Sequence, residues 1–315
     1  MLGSPGNKTE SEDVIRAWTA VYLTLSGLSF LLNATFLTVI WKNWKQVKRR
    51  RITYHLTNLA ISDSVIGAST LAYYVDEVIN SNSSTPQRSV FVTIAWTAIL
   101  TSLLAVCMMA IERAVCIRRP HTWKQILPIQ KISIVMIANW VLTLSLSILM
   151  HFFTLAMRFV LLVLFYVTIL VTSVVYLNVY RDIWKVTATE GNANQDLRCP
   201  SGIREKKNRL AQRKVGSFVL ILTPVLLVIV SPSFLTLAVK MACELFELNC
   251  TFIEIVNMLT HYFYMLEITN FVVNPILYVW RMSTYRNAFW QMFCKKSDAR
   301  FNASMSSQKN DVARA

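Results

Sequence analysis

Three constellations in this chain have the residue types and spacing to do chemistry. Asp63 stands mid-way along the apolar stretch 54–75, where a carboxylate costs several kcal/mol unless polar partners or a cation meet it. Asn33, Ser102, Asn270 and Asn274 fall in other apolar stretches, the last two spaced i, i+4 on one helical face. Polar residues of this kind can simply join helices. One carboxylate among four such partners points further, to a cation or proton site. The second constellation is the run Asn274-Pro275-Ile276-Leu277-Tyr278: Pro275 removes a backbone donor and opposes a carbonyl inside an apolar segment, and Pro232 does the same in 215–239. The third is the acid and base pair Glu112-Arg113 closing the stretch 90–111.

A fourth group lies nearer the other end of the same segments. Glu267, Tyr264 and His261 are spaced i, i+3, i+6 and read as a polar stripe on roughly one face. Glu267 could pair with a cationic group of a ligand or hydrogen-bond a neighbouring helix. Asp76, Glu77, Glu244, Glu247 and Glu254 make one rim of the chain acidic, either as a solvated surface or as an attractor for a basic peptide or amine. Enzymatic chemistry finds no footing. There is no Gly-x-x-x-x-Gly-Lys phosphate loop, and His55, His121, His151 and His261 make no metal-spaced pair.

The elements that must position these groups are membrane helices. Of 315 residues 54% are hydrophobic and 16% charged, against about 45–50% and about 25% in soluble domains. Residues 18–41, 54–75, 90–111, 132–153, 159–180, 215–239 and 252–279 are apolar stretches of at least 22 residues, each sufficient to cross about 30 Å of hydrocarbon. The fold class is therefore an all-α membrane protein, a seven-helix transmembrane bundle. Of the 32 basic residues, 27 fall on one side of it, which the positive-inside rule makes cytoplasmic. The N-terminus is then outside and the C-terminus inside, and the net charge of +15 is a topological signal with no nucleic-acid partner implied.

The segments divide as an extracellular tail, 1–17; the transmembrane domain, 18–280; an amphipathic juxtamembrane helix, 281–294; and a cytoplasmic tail, 295–315. The polar tail has no apolar signal-peptide centre, so the first span is expected to serve as its own insertion signal. Asn7, Asn82 and Asn249 head glycosylation sequons on the outer side. Cys243 and Cys250 flank the short outer link between spans six and seven, close enough to bridge in an oxidising compartment; two free thiols at helix ends is the other reading. Between Ile132 and Tyr180 the only formal charge is Arg158, so spans four and five must be parted by a tight turn near His151–Arg158. A single helix of that length would overrun the bilayer. Residues from about Lys185 to Leu210 read as a loop flanked by helix extensions, whose basic residues suit lipid headgroups. Met282, Tyr285, Phe289, Met292 and Phe293 repeat at three to four residues, the pattern of an amphipathic helix lying on lipid, with Cys294 placed for palmitoylation.

Leu59-Ala60-Ile61-Ser62-Asp63 in span two, Glu112-Arg113-Ala114 closing span three, Trp140 in span four, Ser231-Pro232 in span six and Asn274–Tyr278 in span seven together resemble a rhodopsin-like (class A) G-protein-coupled receptor. The likeness runs from about Ala17 to Cys294. It implies a plasma-membrane receptor that binds an extracellular ligand, a peptide or small molecule, and activates a heterotrimeric G protein, with arrestin as a further partner through Ser304, Ser306 and Ser307. Asn33, Asp63, Ser102, Asn270 and Asn274 would be the family's Na+ pocket, favouring the inactive state. Arg113 would be the arginine restrained by Glu112 and freed on activation, and Tyr176 and Tyr278 the tyrosines whose hydroxyls replace the lost contact.

The chain departs from the family at several positions. Ala114 replaces the usual Tyr, Val230 replaces the aromatic toggle, and Thr168 stands nearest the missing span-five proline. Arg88 stands about where the family's commonest disulfide begins. The absent bridge, the minimal second outer link and the cysteines around the span six–seven loop resemble the melanocortin-type branch. Ala95 occupies about the place of an amine receptor's aspartate, and Ile268 about that of an opsin's lysine, so neither of those ligand classes is implied. An ion-coupled transporter or channel using Asp63 and Glu267 is the alternative from another class, weakened by the odd number of spans and the lack of an inverted repeat.

Overall fold

The computed structural model describes residues 6–48, 51–80, 85–119, 122–192, 231–246 and 252–292. They form α1 (Gly6–Lys42), α2 (Trp44–Val47), α3 (Ile52–Ile79), α4 (Pro86–Arg118), α5 (Trp123–Ile126), α6 (Ile129–Phe152) and α7 (Thr154–Asn192). Helical residues 231–245, here α8, α9 (Ile253–Arg281) and a last helix at 283–292, here α10, complete the bundle. No strand occurs among the described residues.

These sequences form helices because lipid leaves no other partner for the backbone. Their hydroxyls follow the same rule: Thr24, Thr35, Thr38 and Thr168 donate to the carbonyls four residues back at 2.7–2.8 Å. In α6 the usual polarity of a soluble helix is inverted. Ile134, Ile137, Val141, Leu144 and Ile148 are exposed at the spacing of one helical face, while Asn139, Thr143 and Ser147 are buried at i, i+4, i+8. An apolar outside and a hydrogen-bonded inside is the arrangement a bilayer selects. The inner face meets α4, where Thr101 and Thr143 hydroxyls lie 2.7 Å apart and Asn139 donates to the Thr101 carbonyl at 3.2 Å.

Val14–Lys42, Pro86–Arg118, Ile129–Met150 and Arg158–Arg181 are each long and apolar enough to cross a bilayer. α3 and α9 have the length, 28 and 29 residues, but their hydropathy is diluted by buried polar groups, among them Asn58, Asp63, Glu267 and Asn274. α4 packs against α3, α6 and α7, and α1 against α3 and α9. At the α1–α3 seam, a Cβ added to Gly67 would stand 2.7 Å from the Phe30 nitrogen and 2.9 Å from the Ser26 carbonyl oxygen. Only a glycine admits that backbone approach.

The described connections are short. Phe153 alone separates α6 from α7, inside the window where the sequence requires a turn. α7 runs on to Asn192, so the stretch read as a loop from about Lys185 begins helical. The short helices α2 and α5 are features that apolar periodicity does not reveal. Arg51 ties their regions together by stacking 4.7 Å over the Trp123 ring and donating to the Leu127 carbonyl. α10 buries Tyr285 and Ala288 against the bundle, with Met282 buried just before it, and the Tyr285 hydroxyl lies 2.9 Å from that of Thr53.

Candidate functional site

Asp63 is fully buried on α3. Asn274 Nδ2 of α9 donates to its Oδ2 at 2.8 Å, and Ser102 Oγ of α4 to its Oδ1 at 3.4 Å. Three helices thus meet at one carboxylate. Asn270, one turn before Asn274, is buried too.

Asn33 does something else. Its Nδ2 donates to the carbonyls of Ser29 and Phe271, both at 2.9 Å. Phe271 lies four residues before Pro275, the residue whose missing N–H would otherwise have bonded that carbonyl. Asn33 therefore repairs the break that Pro275 makes in α9 and binds α1 to it. The group read as five pocket residues divides accordingly: Asn274 and Ser102 touch the acid, and Asn33 supports the helix that carries Asn274.

Asp63 offers a single formal charge beside the Ser102 hydroxyl oxygen, and the buried Asn274 Oδ1 has no hydrogen-bond partner. This hard-oxygen set with one negative charge fits one monovalent cation. Among the described residues no group of three or more His, Cys, Asp or Glu could hold a metal ion.

One turn beyond Asn274, Tyr278 is fully buried with its ring 5.3 Å from that of Phe36. Its hydroxyl has no partner, an expensive state for a buried polar atom. Tyr176 lies on α7, and its side chain is outside the described ones.

At the far end of α4, Glu112 is 2% exposed. Arg113 Nη2 stands 3.4 Å from its Oε2, and His55 Nε2 of α3 stands 2.9 Å from the same oxygen. His55 is the residue that motif reading missed. Its signal was positional, because it lies eight residues, about two turns, before Asp63 and so on the same face of α3. Trp140 Nε1 donates to Asn58 Oδ1 at 2.9 Å, so the span-four tryptophan joins α6 to α3.

A cavity of about 310 Å³ lies between α3, α4, α8 and α9, toward the end of the bundle away from Glu112. Tyr73, Tyr74, Phe91, Trp96 and Phe234 form its aromatic walls, and Ala95 contributes to the α4 side. Glu267 and Lys240 are its two formally charged lining residues. Tyr264 also lines it, its hydroxyl 3.4 Å from that of Thr70. His261 does not join them. The Tyr22 hydroxyl donates to the His261 carbonyl at 3.0 Å and lies 3.1 Å from Nδ1, and Trp18 stacks on the imidazole at 5.8 Å. The reason is angular: six residues at about 100° each leave His261 about 120° around the axis from Glu267.

Of the five acids at this rim, Asp76 and Glu244 are engaged. Asp76 accepts from Thr85 Oγ1 and Arg88 Nε, both at 2.7 Å, and from Asn80 Nδ2 at 2.8 Å. The Thr85 hydroxyl, then the Arg88 guanidinium, hold the Asp76 carboxyl below its ordinary range. Arg88 also donates to the carbonyls of Asp76 and Asn80, clamping the end of α3 to the start of α4. Glu244 pairs with Arg158 at 3.1 Å.

Cys243 is disulfide-bonded, whereas Cys107 and Cys116 carry thiols. Cys250, Asn82, Asn249, Cys294, Val230 and the tail serines lie outside the described residues, as does the side chain of Asn7. Pro232 falls in α8 and Pro275 inside α9.

No curated protein matches the chain at a significant level. A profile described as 7 transmembrane receptor (rhodopsin family) matches residues 32–160 and 155–278, well over half of the chain and all of the polar constellations above. This multi-pass membrane protein belongs to the rhodopsin family of seven-transmembrane receptors.

Proposed function

We propose that the chain is a ligand-operated switch of the plasma membrane, with its N-terminus outside, that couples the outer cavity to a heterotrimeric G protein inside. The observation that carries this reading is the unpartnered hydroxyl of Tyr278, one turn from Asn274 and its bond to Asp63. A buried hydroxyl without a partner is a cost that a second arrangement can relieve. In the arrangement described here Glu112 holds Arg113 and His55. In the other, Arg113 leaves Glu112 and Tyr278 supplies its hydroxyl to the opened cytoplasmic side, with Tyr176 facing it from α7. A ligand that binds the second arrangement more tightly shifts the population by that difference in affinity.

Na+ would be held by Asp63 and Ser102, with the free Oδ1 of Asn274 completing the oxygen set; it would supply a positive charge that favours the closed packing of α3, α4 and α9. Pro232 would supply the bend about which α8 swings. Arrestin and lipid contacts would fall to the tail and α10, with the Cys243–Cys250 bridge and the Asn7, Asn82 and Asn249 glycans on the outer side.

The test is nucleotide exchange on a G protein reconstituted with the full chain. Arg113→Ala should abolish ligand-driven exchange, and Asp63→Asn should remove its dependence on Na+. Intact exchange in Arg113→Ala would sink the scheme. Ion flux lost in Asp63→Asn but kept in Arg113→Ala would mark a transporter instead.

A further inference from the structure

We infer that the outer cavity takes a small zwitterion of the dipeptide class, its ammonium group on Glu267 and its carboxylate on Lys240, with an aromatic body between them. The inference deepens the receptor reading and rests on this cavity being the ligand site. Glu267 is 4% exposed yet lines the cavity, and no cation among the described residues pairs with it. Lys240 lines the same cavity and likewise has no acidic partner there. The neighbouring Glu244 is already taken by Arg158 at 3.1 Å, so Lys240 is left without an acidic partner among the described residues.

The two charges are set apart along the cavity. Ser233 lies beside Glu267, and Lys240 follows Ser233 by seven residues on the same helix, a rise of about 10.5 Å. Helical side chains lean toward the N-terminus, so the Lys240 ammonium reaches back toward the cavity. Lys240 also lines a second cavity of about 490 Å³, which shares Val92, Trp96 and Leu237 with the first. It therefore stands at the divide between the two spaces, while Glu267 stands at the end beside Ser233.

This pairing discriminates among ligand classes. A simple amine would satisfy Glu267 and be repelled by Lys240, and a fatty acid would do the reverse; burying either unpaired charge is unfavourable. A zwitterion satisfies both. The rings of Tyr73, Tyr74 and Trp96 favour an aromatic body and add attraction for an ammonium group. A volume of about 310 Å³ lies at the lower end of ligand pockets, enough for a small molecule and too little for a folded peptide. The α6–α7 link, Phe153 alone, is too short to lie across the opening.

The experiment measures thermal stabilisation of the purified full chain by a panel of dipeptides with an aromatic first residue, phenylalanyl-leucine among them, each with its N-acetylated and C-amidated forms. At least one free dipeptide should stabilise the chain, and each cap should weaken binding tenfold or more. Glu267→Gln should erase the penalty of the N-acetyl cap, and Lys240→Gln that of the amide. Caps without effect, or no stabilising member in the panel, overturn the inference. The cap comparison uses the unsubstituted chain, so it stands even if a variant fails to fold. Binding is read without a G protein, so persistent dipeptide binding with no exchange would count against the receptor scheme alone.

Discussion

The two halves of the bundle spend their polar residues differently. In the half that holds Asp63, the residues Asp63, Asn274, Glu112, Arg113 and His55 are buried and meet across helix seams. In the other half, Glu267 and Lys240 line a cavity, and the groups that are paired, Asp76 with Arg88 and Glu244 with Arg158, sit at the rim. Charges paired across helix seams hold an arrangement, whereas charges that line a cavity can take an outside partner.

The largest effect that would test this contrast is at Glu112. Removing it in Glu112→Ala leaves Arg113 and His55 around a missing charge, and breaking a buried pair costs about 3–5 kcal/mol. The variant should show raised ligand-free nucleotide exchange and a lower thermal midpoint, while dipeptide binding in the outer cavity survives. Unchanged exchange would mean that the inner network holds nothing. Next comes Gly67→Ala, whose new methyl group meets backbone atoms at 2.7 and 2.9 Å that cannot turn aside. Overpacking of this kind costs about 1–3 kcal/mol, and thermal unfolding in detergent should show the upper part of that range.

Asn33→Ala should cost about 1–3 kcal/mol by orphaning the Phe271 carbonyl. If Asn33 supports α9 without touching the acid, this variant should keep its response to Na+, whereas Asn274→Ala should lose it. Equal loss in both would redraw the inner site. The smallest effect belongs to the outer clamp. Asp76 has a carboxyl held below its ordinary range, so its contribution to stability is complete above the unfolded-state value and is lost as pH falls through the lower folded one. Arg88→Gln should flatten that acid-side loss in a pH series of thermal midpoints and leave exchange at neutral pH unchanged.

Much of this is legible in the sequence alone. The apolar runs fall on the long helices α1, α3, α4, α6, α7 and α9, because crossing hydrocarbon imposes a length and a polarity that no tertiary contact can override. Asp63, Arg113 and Pro275 stood out for the same reason: an ionisable side chain or a proline in lipid is conspicuous in one dimension. His55 did not stand out. A histidine near a helix end is unremarkable until the neighbouring helix brings Glu112 within 2.9 Å.

Asn33 and His261 show the other limit. Both are polar residues in the expected spans, yet Asn33 serves the carbonyl that Pro275 vacates, and His261 turns toward Tyr22 and Trp18 on α1. Residue type alone by itself determined that each must find a polar partner. Which partner depended on how the helices are rotated about their axes, a property of packing among several helices at once. The sequence thus determined that the chain spans the membrane many times and that every buried charge has a cost; the tertiary structure decided which charges were paired and which line the cavity, because pairing is set by distances between helices that no single helix contains.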